Sequence, residues 1–165
     1  MGGVSEYFNV VPDLSVYAKG IANGMPLSAY VGKREIMKTC EMPGFSISST
    51  LGGEALSLAA CRAVINTYRE HDVIGHIRSH GEYIWNKVNK LFEEKNIKIR
   101  LMGSPACPAI KALADAPEGL LQRFFRLAYK HHVSLYGTSY VNFSHSYEDL
   151  DEVAGNLSAA MDELQ

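Results

Sequence analysis

Lys19 sits in the run Pro12-Asp13-Leu14-Ser15-Val16-Tyr17-Ala18-Lys19-Gly20-Ile21-Ala22-Asn23-Gly24-Met25-Pro26-Leu27, where an apolar stretch meets a turn carrying glycines. An amine at the end of a largely buried strand is held rigidly and partly desolvated, which favours the neutral form that attacks an aldehyde and forms a Schiff base. Gly20 and Gly24 leave room beside it for a flat ring. The competing reading is a lysine that ends a strand and points into water, as most lysines do. A second group of interest is Ser49-Thr50-Leu51-Gly52-Gly53, in which hydroxyls beside two glycines precede a helical pattern. Such a place offers donors and the positive end of a helix dipole to a dianion such as a phosphate. An ordinary helix N-cap uses the same residue types.

The longer run narrows these readings. Pro-Asp-Leu, then four residues, then Lys-Gly-Ile-Ala-Asn-Gly-Met-Pro-Leu-Ser-Ala, followed by Gly32-Lys33-Arg34-Glu35-Ile36-Met37, resembles the class III pyridoxal-phosphate aminotransferases. Within them it is most similar to the glutamate-1-semialdehyde aminomutase group, and the similarity continues through residues 48–60. The resemblance implies that Lys19 carries the Schiff base with pyridoxal 5'-phosphate and then shuttles a proton between substrate and cofactor. It also implies that Thr50, assisted by Ser49, contacts the cofactor phosphate of a neighbouring subunit. The implied assembly is therefore a homodimer with a twofold axis. Glu54 follows the Gly-Gly-Glu variant rather than the Ser-Gly-Asn form of many aminomutases, which leaves the substrate open among amino acids and oxo-acids. The family's aspartate partner for the pyridine nitrogen would lie upstream of Met1. Neither Asp13, part of the Pro-Asp-Leu motif, nor Glu6 is a substitute. The resemblance thus predicts a C-terminal portion of a longer enzyme, inactive in isolation.

Composition agrees with a soluble cytoplasmic protein. With 47% hydrophobic and 21% charged residues, the 165-residue chain can build one substantial core. Sixteen basic against eighteen acidic residues and no basic block give a nucleic-acid surface no support. No apolar run is long enough to span a bilayer. Cys40, Cys61 and Cys107 are odd in number and widely spaced, which predicts reduced thiols packed in apolar surroundings. His76 and His80 have a spacing compatible with metal, but no third ligand accompanies them, and a solvated helix face is expected. No nucleophile elbow, Walker loop or dinucleotide fingerprint occurs.

The elements that would position Lys19 read as strands over 10–17 and 27–31, with the lysine in the connection. Small and apolar residues at one-face spacing predict a helix over 53–68. Asp72 can cap a second helix with the stripe Ile77, Ile84, Val88, Leu91 and Phe92, ending at Asn96. Strands are expected over 97–101 and 108–114, then a helix over 118–131 started by Pro117. Short strands follow over 133–136 and 140–143, with Tyr136, Tyr140 and Phe143 as core or interface residues. A capping box at Ser146 and Asp149 opens the last helix. The fold class is α/β with an α+β C-terminal half. By resemblance, residues 1–70 end the large cofactor domain and residues 71–165 form the small C-terminal domain of the fold type I aminotransferase architecture. The rival from another functional class is a non-catalytic dimerising or scaffolding remnant that binds no cofactor.

Overall fold

The computed structural model describes residues 2–164. The chain divides between Asp72 and Val73 into two compact units.

The first unit contains helix α1 (Gly3–Tyr7), strand β1 (Leu14–Tyr17), a 3-10 turn (Lys19–Ile21), strand β2 (Ala29–Gly32), helix α2 (Arg34–Met37), a second 3-10 turn (Lys38–Glu41) and helix α3 (Ala55–Glu70). β1 and β2 pair antiparallel, from Leu14 opposite Gly32 to Tyr17 opposite Ala29. A Cβ on Gly32 would lie 2.4 Å from the Asp13 carbonyl oxygen, so only glycine closes this end of the hairpin. Asp13 and Lys33 reinforce it with a 2.5 Å ion pair. The strand expected from residue 10 forms only from Leu14, and it is not buried: Val16 is 76% exposed. The hairpin has just two strands, so neither face of its apolar side chains is covered by a further strand. Among the described residues of this unit, Ala22 is the one buried apolar side chain.

The second unit holds the hydrophobic core. Helix α4 (Val73–Glu94), strands β3 (Ile99–Met102) and β4 (Ala109–Ala112), and helices α5 (Leu120–Lys130) and α6 (Tyr147–Asp162) follow one another along the chain. α4 packs against α6 and β3, while α5 packs against α6 and β4. The buried stripe Ile84, Val88 and Phe92 of α4 meets Phe124 of α5 and Leu157 and Met161 of α6. Phe92 and Phe124 touch edge to face, with centroids 5.1 Å apart. β3 alternates as a strand with one buried face should, Ile99 and Leu101 inward, Arg100 and Met102 outward. Its outer edge is tied to α4 by Asn89, whose amide donates to Leu101 O (3.0 Å) and whose oxygen accepts from Leu101 N (2.9 Å).

Two local features set the path of α4. A Cβ on Gly81 would meet the Pro105 carbonyl oxygen at 2.2 Å, so glycine permits the β3–β4 connection to lie directly on the helix. One turn later Trp85 Nε1 donates to the same oxygen at 2.8 Å. The helix ends as expected before Asn96, which takes a left-handed conformation (φ 53°) while Ile97 N donates to Phe92 O. α6 opens with the expected capping box, Asp149 N donating to Ser146 Oγ (3.2 Å) and Ser146 N to Asp149 Oδ2 (2.8 Å).

Three expectations are corrected. α5 begins at Leu120 after Gly119 (φ 72°), so Pro117 lies in the preceding turn rather than in the helix. Residues 133–136 and 140–143 do not form strands; this segment meets β4 only at the isolated bridge between Ala109 and Thr138. The aromatic residues read as core or interface turn outward, with Tyr136 75% and Tyr140 69% exposed, so the core alternative fails for them.

Candidate active site

Lys19 follows β1 by two residues and opens the 3-10 turn. Ile21 N donates to Ala18 O and Ala22 N to Lys19 O, each at 3.3 Å, and the buried Ala22 anchors the turn. α3 packs against this turn, so the long helix of the unit supports the position of the lysine. The Lys19 backbone is left-handed, with φ 53°. Four other non-glycine residues share that conformation. Asn9, Asn96 and His132 each follow a helix and are explained by the bond made just beyond them, from Val10 N to Ser5 O, Ile97 N to Phe92 O and Val133 N to Ala128 O. Asn23 is of a type that tolerates it, next to Gly24 (φ 105°). Lys19 is the second residue of the turn closed by Ile21 N donating to Ala18 O, a position that takes a positive φ in tight turns. A left-handed non-glycine residue costs about 1–3 kcal/mol, which the turn's hydrogen bonds and the anchored Ala22 must offset.

The lysine lines a cavity of 560 Å³ together with Gly20, Asn23, Gly24, Met25, Pro26 and Leu27. No atom lies within 4 Å of a Cβ built on Gly20 or Gly24, so a planar group has room on the glycine side. Lys19 is exposed, contrary to the partly desolvated amine expected from the sequence, because the strand leading to it is itself uncovered. The lining contains no carboxylate. Asp13, set aside on sequence grounds, is engaged with Lys33.

Ser49 and Thr50 are exposed in a turn closed by Gly52 N donating to Ser49 O and Glu54 N to Leu51 O, both at 3.2 Å. Neither residue lines the cavity of Lys19. The helix after them starts at Ala55, not Gly53, and its cap is Glu54. The Glu54 carboxylate accepts from Leu56 N (2.8 Å), Ser57 N (2.6 Å) and Ser57 Oγ (2.6 Å). Two first-turn amides that could have faced a dianion are thus occupied by a side-chain anion. The Ser57 hydroxyl foremost, then the Leu56 and Ser57 amides, hold the Glu54 carboxyl below the ordinary glutamate range. The signal was available, since Glu54 immediately precedes a helical run of small and apolar residues.

The histidines also differ from expectation. His80 is buried rather than solvated, stacked between His76 (3.6 Å between centroids) and Tyr147 (4.0 Å). Its Nδ1–H donates to His76 O at 2.9 Å, and His76 Nε2–H donates to His145 O at 3.1 Å. The pair therefore works as packing between the start of α4 and the start of α6. Among the described residues no group of three or more His, Cys, Asp or Glu side chains could hold a metal ion. The three cysteines are free, as expected, but Cys107 is exposed and the other two only half-buried, so apolar burial is not their role. No described helix is long and apolar enough to cross a membrane.

A lysine at a left-handed turn lines a glycine-walled cavity on a mixed α/β scaffold, an arrangement open to a small molecule. The sequence model of the class-III aminotransferases matches residues 4–126, and the chain belongs to that family. It is 32% identical over 92% of its length to glutamate-1-semialdehyde 2,1-aminomutase 2 of Lachnoclostridium phytofermentans, of which it spans 39%. In fold it is similar to the FumI protein of Sphingopyxis sp. MTA144, solved with PLP, at a TM-score of 0.89 and 17% identity, covering 98% of this chain and 39% of that one. It is also similar to a glutamate-1-semialdehyde aminomutase of Pseudomonas aeruginosa in complex with PMP, at a TM-score of 0.78 and 21% identity, covering 99% and 42%. The architecture is accordingly that of the C-terminal portion of the fold type I aminotransferases, and the chain spans about two fifths of the length of these relatives.

Proposed function

We propose that this chain contributes the lysine side of a pyridoxal-phosphate-dependent amino-group transfer, performed by a longer polypeptide or an assembly that supplies the rest of the family's length. The observation that carries this reading is Lys19, at a left-handed turn and lining an open glycine-walled cavity inside the family match. Bound pyridoxal phosphate supplies an aldehyde to hold an amino group and a ring that takes up electrons from the substrate carbon. Lys19 Nζ is the atom that would hold that aldehyde carbon, be displaced by the incoming amine, and then hold or return a proton. An arginine there could do none of this, because it stays protonated. Gly20 and Gly24 would accommodate the ring.

Ser49 and Thr50 would hold the phosphate through their hydroxyls and the amides of the glycine turn. Their absence from the lining of the Lys19 cavity supports a contribution across the twofold axis of a homodimer, so that each site draws on two chains. Residues 1–70 would end the large cofactor domain and residues 71–165 form the small one. The substrates would be an amino acid and an oxo-acid, or a single molecule rearranged internally, as the name of the aminomutase relative describes.

The fit to the cofactor is partial within this chain: amine, ring space and phosphate hydroxyls are present, whereas no carboxylate lines the cavity for a pyridine nitrogen. That observation favours a second reading, a dimerising or scaffolding remnant that binds no cofactor. Borohydride reduction after addition of pyridoxal phosphate separates the two. Covalent label on the peptide carrying Lys19, lost in Lys19→Ala, supports the first reading; label absent in the chain and in its longer form supports the second.

A further inference from the structure

The turn that carries Lys19 is weakly made by its own bonds. Both of its backbone hydrogen bonds are 3.3 Å, longer than usual for N–H···O, and no side chain caps it. The left-handed backbone at Lys19 adds a further cost. Support must come from elsewhere in the unit, and α3 packs against this turn.

Ala22 and Ser57 are the buried residues among the described residues of the first unit. Ala22 closes the Lys19 turn, and Ser57 stands in the first turn of α3. Ser57 is fully buried, although α3 uses alanine at 55, 59, 60 and 63, and an alanine here would leave no hydroxyl to satisfy. One group satisfies that hydroxyl: Glu54 Oε2 accepts from both Ser57 Oγ and Ser57 N at 2.6 Å, while Oε1 accepts from Leu56 N at 2.8 Å. Hydrogen bonds to a charged acceptor are short and about twice as strong as neutral ones. Capping α3 needs only the two backbone bonds. The third bond fixes the side chain of the buried serine.

We infer that Glu54 and Ser57 are positioning residues for Lys19. The Glu54 carboxylate locks Ser57, the locked first turn of α3 seats the Lys19 turn at its buried Ala22, and the amine is thereby presented to its cavity from a fixed backbone. The turn brings one titratable side chain to α3, Lys19, and it is not among the groups that lower the Glu54 carboxyl, so the coupling runs through packing. The purpose of this coupling rests on the amine chemistry proposed for Lys19, whereas the coupling itself does not.

The test is a pH titration of backbone amide chemical shifts by NMR. With its carboxyl held below the ordinary range, Glu54 keeps its charge as pH falls past the usual glutamate titration, and the lock opens only through the lowered folded value. In the chain, the Ile21 and Ala22 amides should follow the same titration as those of Leu56 and Ser57, and Glu54→Gln should abolish the response at all of them. Ser57→Ala should separate the roles: Leu56 still follows Glu54, because the cap bond remains, but Ile21 and Ala22 no longer do. A carboxylate that served only as a helix cap would leave Ile21 and Ala22 unresponsive in the parent. In a form joined to the remaining family sequence, Ser57→Ala should slow borohydride-fixed labelling of Lys19 by pyridoxal phosphate about tenfold. The inference is overturned if Ile21 and Ala22 do not titrate with Glu54 in the parent, if they still do in Ser57→Ala, or if a joined form that labels Lys19 does so at an unchanged rate in Ser57→Ala. Should Ser57→Ala also lose the Leu56 response, the start of α3 has frayed and Glu54→Gln decides, where a surviving response at Ile21 and Ala22 overturns the inference. A parent joined form that takes no label at Lys19 counts against the function proposed for that lysine, while the amide shifts still decide the coupling.

Discussion

At Lys19 the backbone and the side chain make separable predictions. Lys19→Ala and Lys19→Gly both remove the amine, so both should abolish borohydride-fixed label. They should differ in stability, since glycine adopts φ 53° freely and alanine does not. Lys19→Gly should be more stable than Lys19→Ala by about 1 kcal/mol, measured by denaturant unfolding. Equal stability would mean the left-handed backbone stores nothing. Glu54 gives a pH prediction whose sign follows from its lowered carboxyl pKa. A carboxyl held lower in the folded chain than in the unfolded one stabilises at pH above its unfolded titration, and that contribution is lost as pH falls through the lowered folded value. Exchange protection of the Leu56 and Ser57 amides should therefore fall on acidification, and Glu54→Gln should flatten that profile. Chemistry was more legible than geometry at this scale. Lys19 and its glycines could be singled out from residue types, and so could Glu54 at the helix start, whereas the left-handed backbone of Lys19 depends on torsions that residue types do not fix.

Helices read well from the sequence because their signals are local. The α6 capping box, the Asn96 stop and the α4 stripe each depend on residues within a turn or two. Strands read poorly where pairing depends on what lies beside them: 133–136 and 140–143 alternate, but the segment meets β4 only at the isolated bridge between Ala109 and Thr138. Close approach is equally invisible in sequence. Gly81 resembles any helical glycine until the Pro105 carbonyl is seen lying against it. Gly81→Ala should cost about 1–3 kcal/mol by forcing that backbone away. Trp85, the chain's single tryptophan, should report the displacement as a shift in fluorescence, since its indole N–H shares the same carbonyl. An alanine variant with unchanged stability and emission would show that the loop yields without strain.

Over the whole chain the two units are stabilised unequally. The second has a closed core through Phe92, Phe124, Leu157 and Met161, and Phe124→Ala should cost about 3–5 kcal/mol in its unfolding. Among its described residues the first buries one apolar side chain, and it exposes a two-stranded hairpin, so its amides should exchange orders of magnitude faster than those of α4 and α6 in the isolated chain. The candidate active site lies in that less supported unit, which fits a chain spanning two fifths of its relatives' length. The most direct test of the account is the visible spectrum with pyridoxal phosphate, followed by borohydride reduction and peptide mapping, on the chain alone and on a form joined to the remaining family sequence. A stable absorption band is expected in the joined form, with the reduced label on the peptide bearing Lys19 and little or none in the chain alone. A joined form that binds no cofactor, or label on any other lysine, would contradict it.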